Sequence, residues 1–297
     1  MKILIISDGR AGHENQSIAF CELLDAKFDI LHVSFKNKVL KTLSYFLDWL
    51  NIYIKIFICK EETKKDYDFI VCAGSTTYYG AKYFSKHLHV KSIALMYPKG
   101  YKNNFFRIFA QSHDNPKEAK NLTILPINIS NPKPKNIYTP KKDAVGIIIG
   151  GNNSAFSMQK EDIKNYLQKI EEEFKYCEIA ISTSPRTPKD VDDLIENTSF
   201  DYRVIYSKDK TNPTTDFINS CKYVFITEDS TSMISDAVSA GSANVEILKL
   251  KTQKKDSKFK RFIDNLISLN TVHIYDGTIS NKNTKIDLRK VIKGEIL

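Results

Sequence analysis

The feature that most constrains this chain is a rhythm, in which short apolar runs closed by polar turns alternate with stretches of helical periodicity. KILIIS (2–7), FDILHVS (28–34), FIVCAG (69–74), SIALMY (92–97) and FRIFAQ (106–111) read as buried strands, with helical stretches such as 15–24 and 76–88 among them. Runs apolar at nearly every position fit parallel strands covered on both faces, and their alternation with helices fits a doubly wound α/β sheet. The segment ISNPKPKNIYTPKKD (129–143) breaks this rhythm with prolines and lysines, as a linker does. Beyond it the rhythm resumes. AVGIIIGG (144–151), CEIAIST (177–183), YRVIYS (202–207), YVFITE (223–228), ANVEIL (243–248) and TVHIYD (271–276) read as strands, with helices at 160–175, 188–197, 212–220, 231–240 and 257–269. The expectation is an α/β chain of two Rossmann-like domains facing a cleft. They span residues 1–132 and 143–297 and are joined through 133–142, with a C-terminal helix packing back on the first.

A length of 297 residues accommodates two such domains, and 42% hydrophobic with 27% charged residues predicts packed cores rather than disorder. The formal charge of +9 favours an anionic partner. Its lysines are dispersed and no basic stripe with interleaved aromatics is present, so nucleic acid is not expected. Five cysteines without a CxxC pair give neither a zinc site nor a disulfide framework, and point to a reducing compartment. MKILIIS is broken too early by Asp8 and Gly9 for a signal peptide, and no apolar run reaches membrane-spanning length. A cytoplasmic location is expected. The segment 37–60 stands apart: Val39, Leu40, Leu43, Phe46, Leu47, Leu50 and Ile54 fall at helical spacing, with Trp49, Tyr53, Phe57 and flanking lysines. It reads either as a helix packed on the first sheet or as a peripheral membrane contact on the inner face of the cytoplasmic membrane.

Chemistry concentrates at strand ends. LIISDGRAGHENQSIA (4–19) passes from strand to helix through Asp8, Gly9, Gly12 and His13. The glycines suit a tight turn at a helix N-terminus, and histidine is the side chain best suited to accept a proton near neutral pH. A dinucleotide fingerprint is only partly met, because the third small residue is missing. Asp8 or His13 capping the helix is the plainer alternative. FAQSHDNP (109–116) sets His113 and Asp114 after another strand, either for acid/base work or as a simple turn. No third ligand lies nearby, so no metal is expected.

In the second half, Gly150, Gly151, Asn152 and Asn153 end a buried strand where a diphosphate would approach closely, or where the strand merely turns. CEIAISTSPRTPKD (177–190) delivers Ser184, Arg186 and Thr187, with Thr187 a candidate N-cap and Arg186 a candidate phosphate ligand. YVFITEDSTSMISDAVSAG (223–241) ends a strand in Glu228, Asp229, Ser230, Thr231 and Ser232. The helix from Met233 then closes at Gly241, with Asp236 placed to reach ribose hydroxyls. Capping alone is the alternative there.

DGRAGHENQ (8–16), the His113–Asp114 pair, IIGG (148–151), TSPRTP (183–188) and NPTTDFINSCKYVFITEDSTSMISDA (212–237) together resemble the mitochondrial-fission "elongated mitochondria" family and its bacterial relatives, which are regarded as glycosyltransferases. The resemblance spans nearly the whole chain. It implies a GT-B-like fold with the acceptor side first and the nucleotide-sugar side second. It also implies His13 as a candidate base and Asp236 as the ribose ligand. Pro185 stands where the family has a second arginine, and Gly241-Ser242-Ala243 replaces its Gly-x-Pro. The expected activity is metal-independent, inverting transfer from a nucleotide sugar to a lipid-linked or lipopolysaccharide-type glycan acceptor, without a cofactor. Asp8 and His13 are the catalytic candidates, and Gly9, Gly12, Gln16, His113 and Asp114 line the acceptor side. Gly150, Gly151, Asn152, Ser184, Arg186, Thr187, Glu228, Asp229, Ser230, Ser232, Met233 and Asp236 bind the donor. The competing expectation is a non-catalytic, membrane-recruited adaptor that retains the nucleotide-sugar-binding fold. A nucleotide-sugar epimerase or reductase is disfavoured, because no Tyr-xxx-Lys pair is suitably placed for hydride chemistry.

Overall fold

A computed structural model describes residues 1–59, 64, 66–253, 258–280 and 283–297. It divides the chain into two compact units, Met1–Asn131 with Leu288–Leu297, and Pro132–Asp287. The last residue of the 37–60 segment, Lys60, and the first of the helix expected at 257–269, Ser257, lie outside the described residues.

The first unit runs β1 (Lys2–Ser7), α1 (Ala11–Leu23), β2 (Lys27–Ser34), α2 (Lys38–Trp49), β3 (Ile58–Cys59), β4 (Phe69–Ala73), α3 (Tyr78–Leu88), β5 (Lys91–Leu95), β6 (Arg107–Gln111) and β7 (Leu122–Leu125). Its sheet has the order β3-β2-β1-β4-β5-β6-β7, parallel except for the β2–β3 pairing. From β1 the chain moves outward to β2, then returns to β4 on the other side of β1. The order therefore reverses between β1 and β4, and the crevice at the carboxyl ends of such a pair is where open α/β sheets bind ligands. Ile3, Ile5, Ile70, Val71, Ile93 and Ala94 are fully buried, as strands covered on both faces require.

The second unit continues with β8 (Ala144–Ile148), β9 (Phe156–Ser157), α4 (Lys160–Glu173), β10 (Glu178–Ser182), α5 (Lys189–Glu196), β11 (Tyr202–Val204), α6 (Thr214–Ser220), β12 (Tyr223–Thr227), α7 (Thr231–Ser239), β13 (Asn244–Leu248), β14 (Lys251–Thr252), α8 (Lys258–Ser268) and β15 (His273–Ile274). Its main sheet is parallel with order β11-β10-β8-β12-β13-β15, reversing between β8 and β12. Val145, Ile147, Ile181, Phe225 and Leu248 form part of its core with helix residues such as Ile163 and Val191.

The stretch read as a linker is bound to the second unit. The carboxylate of Asp216 accepts the backbone N–H groups of Lys135, Asn136, Ile137 and Tyr138 at 2.6–3.2 Å. Its lysines and prolines gave no sign of that remote acceptor. After Asp287 the chain returns to the first unit as α9 (Leu288–Ile296), which packs on α1. Asp25 there meets Arg289 at 2.6 Å and Lys293 at 2.8 Å.

Candidate functional site

Each sheet carries a polar cluster at its point of reversal. In the first unit, β1 ends at Ser7 and Gly9 takes a φ of +73°, a backbone that glycine adopts without penalty. Helix α1 begins at Ala11, so Gly12 and His13 lie in its first turn rather than in the preceding loop; Gly12 is not the turn glycine its spacing suggested. Arg10 occupies the N-cap position without a side-chain capping bond, its guanidinium lying 3.7 Å from the Asp8 carboxylate. Asp8 serves the helix start instead, its Oδ1 accepting the N–H of Arg10 at 3.2 Å. A carboxylate there complements the helix dipole and takes the place an anionic ligand would need.

The same carboxylate meets His13 Nδ1 at 3.1 and 3.2 Å. The Asp8 side chain is 4% exposed and that of His13 20% exposed. A carboxylate at Nδ1 fixes the ring and holds a proton there, which leaves Nε2 as the basic nitrogen. The ring lies against Gly74, the residue that follows β4 across the reversal. A side chain on Gly74 would overlap His13, and its φ is +88°. Gly74 was not among the expected residues; its signal was a glycine closing an apolar strand directly before a helix. Beneath the pair, Ser7 Oγ donates to Glu14 at 2.5 Å, and Glu14 lies 3.3 Å from His32 Nε2.

Of the other expected acceptor-side residues, Gln16 lies on α1, and His113 and Asp114 follow β6. Gln16 donates to the Gly12 carbonyl and accepts from Gln111 Nε2 at 3.3 Å, so Gln111, also unanticipated, links α1 to the turn holding His113 and Asp114. His113 is buried. Asp114 pairs with Lys99 at 3.0 Å.

In the second unit three loops converge on Asp229, whose side chain is fully buried. Its Oδ1 accepts from Thr227 Oγ1 at 2.7 Å. Its Oδ2 accepts from Gly151 N at 3.0 Å and from Arg186 Nη2 at 2.8 Å. Burial pushes the Asp229 carboxyl above its ordinary range, against the pull of Thr227, Gly151 and Arg186. Side chains on Gly150 or Gly151 would collide with the Asp229 carboxylate or the Arg186 carbonyl, so both glycines serve close approach of protein to protein. The Gly150 N–H is likewise engaged, by Thr227 Oγ1 at 2.7 Å. The backbone donors that sequence assigned to a diphosphate therefore have partners within the chain.

Ser184 Oγ and Thr187 Oγ1 both donate to the Gly150 carbonyl, at 2.8 and 2.6 Å. Thr187 is not the N-cap of α5, because Pro188 holds that position and Thr187 stitches the two loops. Asn152 Oδ1 accepts from Met158 N, and Asn153 braces the same turn through Ala155 and Phe156. Ser230 caps α7 by accepting from Met233 N at 3.5 Å. Asp236 lies in the second turn of that helix and Ser232, in the first, is exposed. Glu228 turns away from Asp229 and accepts from Leu250 N at 2.7 Å, with burial raising its pKa. What this cluster presents outward is Arg186, 42% exposed and tethered to Asp229 by one nitrogen, beside the start of α7. Among the described residues no group of His, Cys, Asp and Glu is arranged to hold a metal ion.

Two successive Rossmann-like units of this kind make a GT-B-like fold. Solved structures agree at the level of fold. S. aureus MnaA with UDP superposes with a TM-score of 0.51 at 12% identity, covering 99% of this chain and 87% of that one. A Listeria monocytogenes protein assigned as a UDP-N-acetylglucosamine 2-epimerase gives 0.54 at 12% identity, with the same coverage. Sequence is more specific. The chain belongs to the Mitochondrial fission ELM1 family, which it matches over residues 11–292. The uncharacterized protein RP120 of Rickettsia prowazekii (strain Madrid E) is 28% identical over 330 aligned positions, covering 94% of this chain and 92% of its own.

Proposed function

We propose that the protein is a nucleotide-sugar-dependent glycosyltransferase in which the first unit supplies the base and the second binds the donor. The observation that carries this reading is the Asp8–His13 pair, held against Gly74 at the reversal point of the first sheet. In this reading an acceptor hydroxyl attacks the anomeric carbon of the donor and gives its proton to His13 Nε2, while Asp8 stabilises the resulting imidazolium. The bond from that carbon to the diphosphate oxygen breaks, its electron pair leaving with the diphosphate. A single displacement of this kind inverts the anomeric centre. Arg186, Ser232 and the N-terminus of α7 meet the departing charge without a metal, and Asp236 takes the ribose. Fold kinship with MnaA, whose structure holds UDP, supports a nucleoside diphosphate donor. The acceptor in this reading is a lipid-linked or lipopolysaccharide-type glycan.

A second reading, a non-catalytic adaptor, is favoured by one observation: the Gly150 and Gly151 N–H groups and one Arg186 nitrogen are already bonded within the protein. Calorimetric titration with UDP, GDP, CMP and their sugars separates the two. The enzyme reading expects one nucleotide class to bind, and Arg186→Ala to weaken it about tenfold or more, as loss of a charge-assisted contact does. Absence of any nucleotide binding leaves the adaptor.

A further inference from the structure

We propose that the outward face of α2 is a docking surface for an anionic lipid bilayer. The helix is turned inside out. Its buried residues are Ser44, Leu47 and Asp48, whereas Val39, Phe46 and Trp49 are 73%, 55% and 64% exposed. Leu43 and Leu50 extend the exposed stripe, and Ile52 and Ile54 continue it beyond the helix. Positions 39, 43, 46 and 50 fall on one helical face, where Phe46 stacks on Trp49 with ring centroids 6.1 Å apart.

Polar bonds hold this orientation. Asp48 Oδ1 receives Lys82 Nζ at 2.7 Å and Tyr53 OH at 2.9 Å, and its Oδ2 receives the N–H of Lys102 at 2.7 Å. Ser44 Oγ and Tyr101 OH lie 2.8 Å apart. A buried ion pair is a poor source of stability compared with packed apolar side chains. Its effect here is to fix which face of α2 meets solvent. An apolar patch left in that position marks an interaction surface.

Charge selects the occupant. Between 35 and 59 the chain carries Lys36, Lys38, Lys41 and Lys55, and its one carboxylate, Asp48, is buried against Lys82. Lys36, Lys38 and Lys55 are exposed around the stripe. An apolar centre with a tryptophan and a basic rim fits acyl chains beneath anionic headgroups. Two copies meeting through this face would oppose their basic rims. Lys41 Nζ also lies 3.0 Å from Ser75 Oγ, in the loop that follows the Gly74 seat of His13, so the patch adjoins the candidate site within its own unit.

Trp49 is the sole tryptophan, so its emission reports on this face alone. The probes are phosphatidylcholine vesicles with and without phosphatidylglycerol, added to the full chain without nucleotide, which keeps the outcome independent of the catalytic reading. The expected result is a blue shift and vesicle flotation that grow with phosphatidylglycerol and fade with salt. Phe46→Asp lowers partitioning about tenfold or more, the worth of one buried aromatic ring. Lys36→Gln, Lys38→Gln and Lys55→Gln each lower it about fivefold. All four residues are exposed, so melting temperatures stay unchanged. Three results overturn the proposal: no flotation, equal binding to phosphatidylcholine alone, or a lipid-free blue shift that grows with protein concentration and so reports self-association.

Discussion

At the residue scale, two glycines near the first cluster separate conformational need from coincidence of spacing. Gly74 combines a φ of +88° with the His13 ring where its side chain would be, whereas Gly12 is helical with open space beside it. Gly74→Ala is expected to cost about 1–3 kcal/mol in urea denaturation and to displace His13. Gly12→Ala is expected to be neutral or slightly stabilising. Lys285 supplies a pH signature. Burial pulls its ammonium down to about 8 while Nζ donates to the Ala237 and Ala243 carbonyls. The unfolded chain keeps that proton up to the ordinary lysine value of 10.5, so between about 8 and 10.5 it binds more protons than the folded chain. Stability contributed by this group is fully present above 10.5 and lost as pH falls through about 8. Relative to Lys285→Met, the natural protein should therefore gain stability as pH rises through that window, by up to about 3 kcal/mol. A Lys285→Met curve parallel to the natural one would refute this. Asp8 and His13 were legible in sequence because chemistry-bearing side chains bracket one short strand-to-helix passage. Gly74 and the central place of Asp229 were not, because each acts on a partner remote in the chain.

At the element scale, periodicity showed that α2 is a helix without telling which face it buries. Seven apolar positions at helical spacing ordinarily predict a stripe turned to the core. The deciding contact is Asp48 with Lys82, 34 residues apart, where burial outweighs the carboxylate in pulling the Lys82 ammonium below its ordinary value. Lys82→Met leaves Asp48 buried without its cation and is expected to cost about 3–5 kcal/mol. Adding Asp48→Leu to Lys82→Met should recover much of that loss, read from denaturation midpoints at constant slope. A double variant as unstable as the sum of the singles would count against a paired role. The core strands were easy to find because parallel strands are apolar throughout, whereas β7 is largely half-buried at a sheet edge and β3, β9 and β14 span two residues each. Such short edge pairings leave too little pattern to read.

At the scale of the whole molecule, two α/β units built on sheets that each reverse once explain why the polar clusters sit where they do. In both units the reversal falls beside the first strand, between β1 and β4 and between β8 and β12. Side chains from distant loops meet there, which is the reason a linear reading found the loops but misassigned parts within them. The chemistry proposed for the two clusters stands or falls on the Asp8–His13 pair. The most direct measurement is release of nucleoside diphosphate from a panel of nucleotide sugars, with a membrane extract as acceptor source, by the natural protein and by His13→Ala and Asp8→Asn. The expected result is release from one donor class by the natural protein, with the variants binding that donor normally and turning over about 10²–10⁴ times more slowly. Equal release by His13→Ala and the natural protein would contradict the assignment of the base, and no release from any donor would contradict the enzyme.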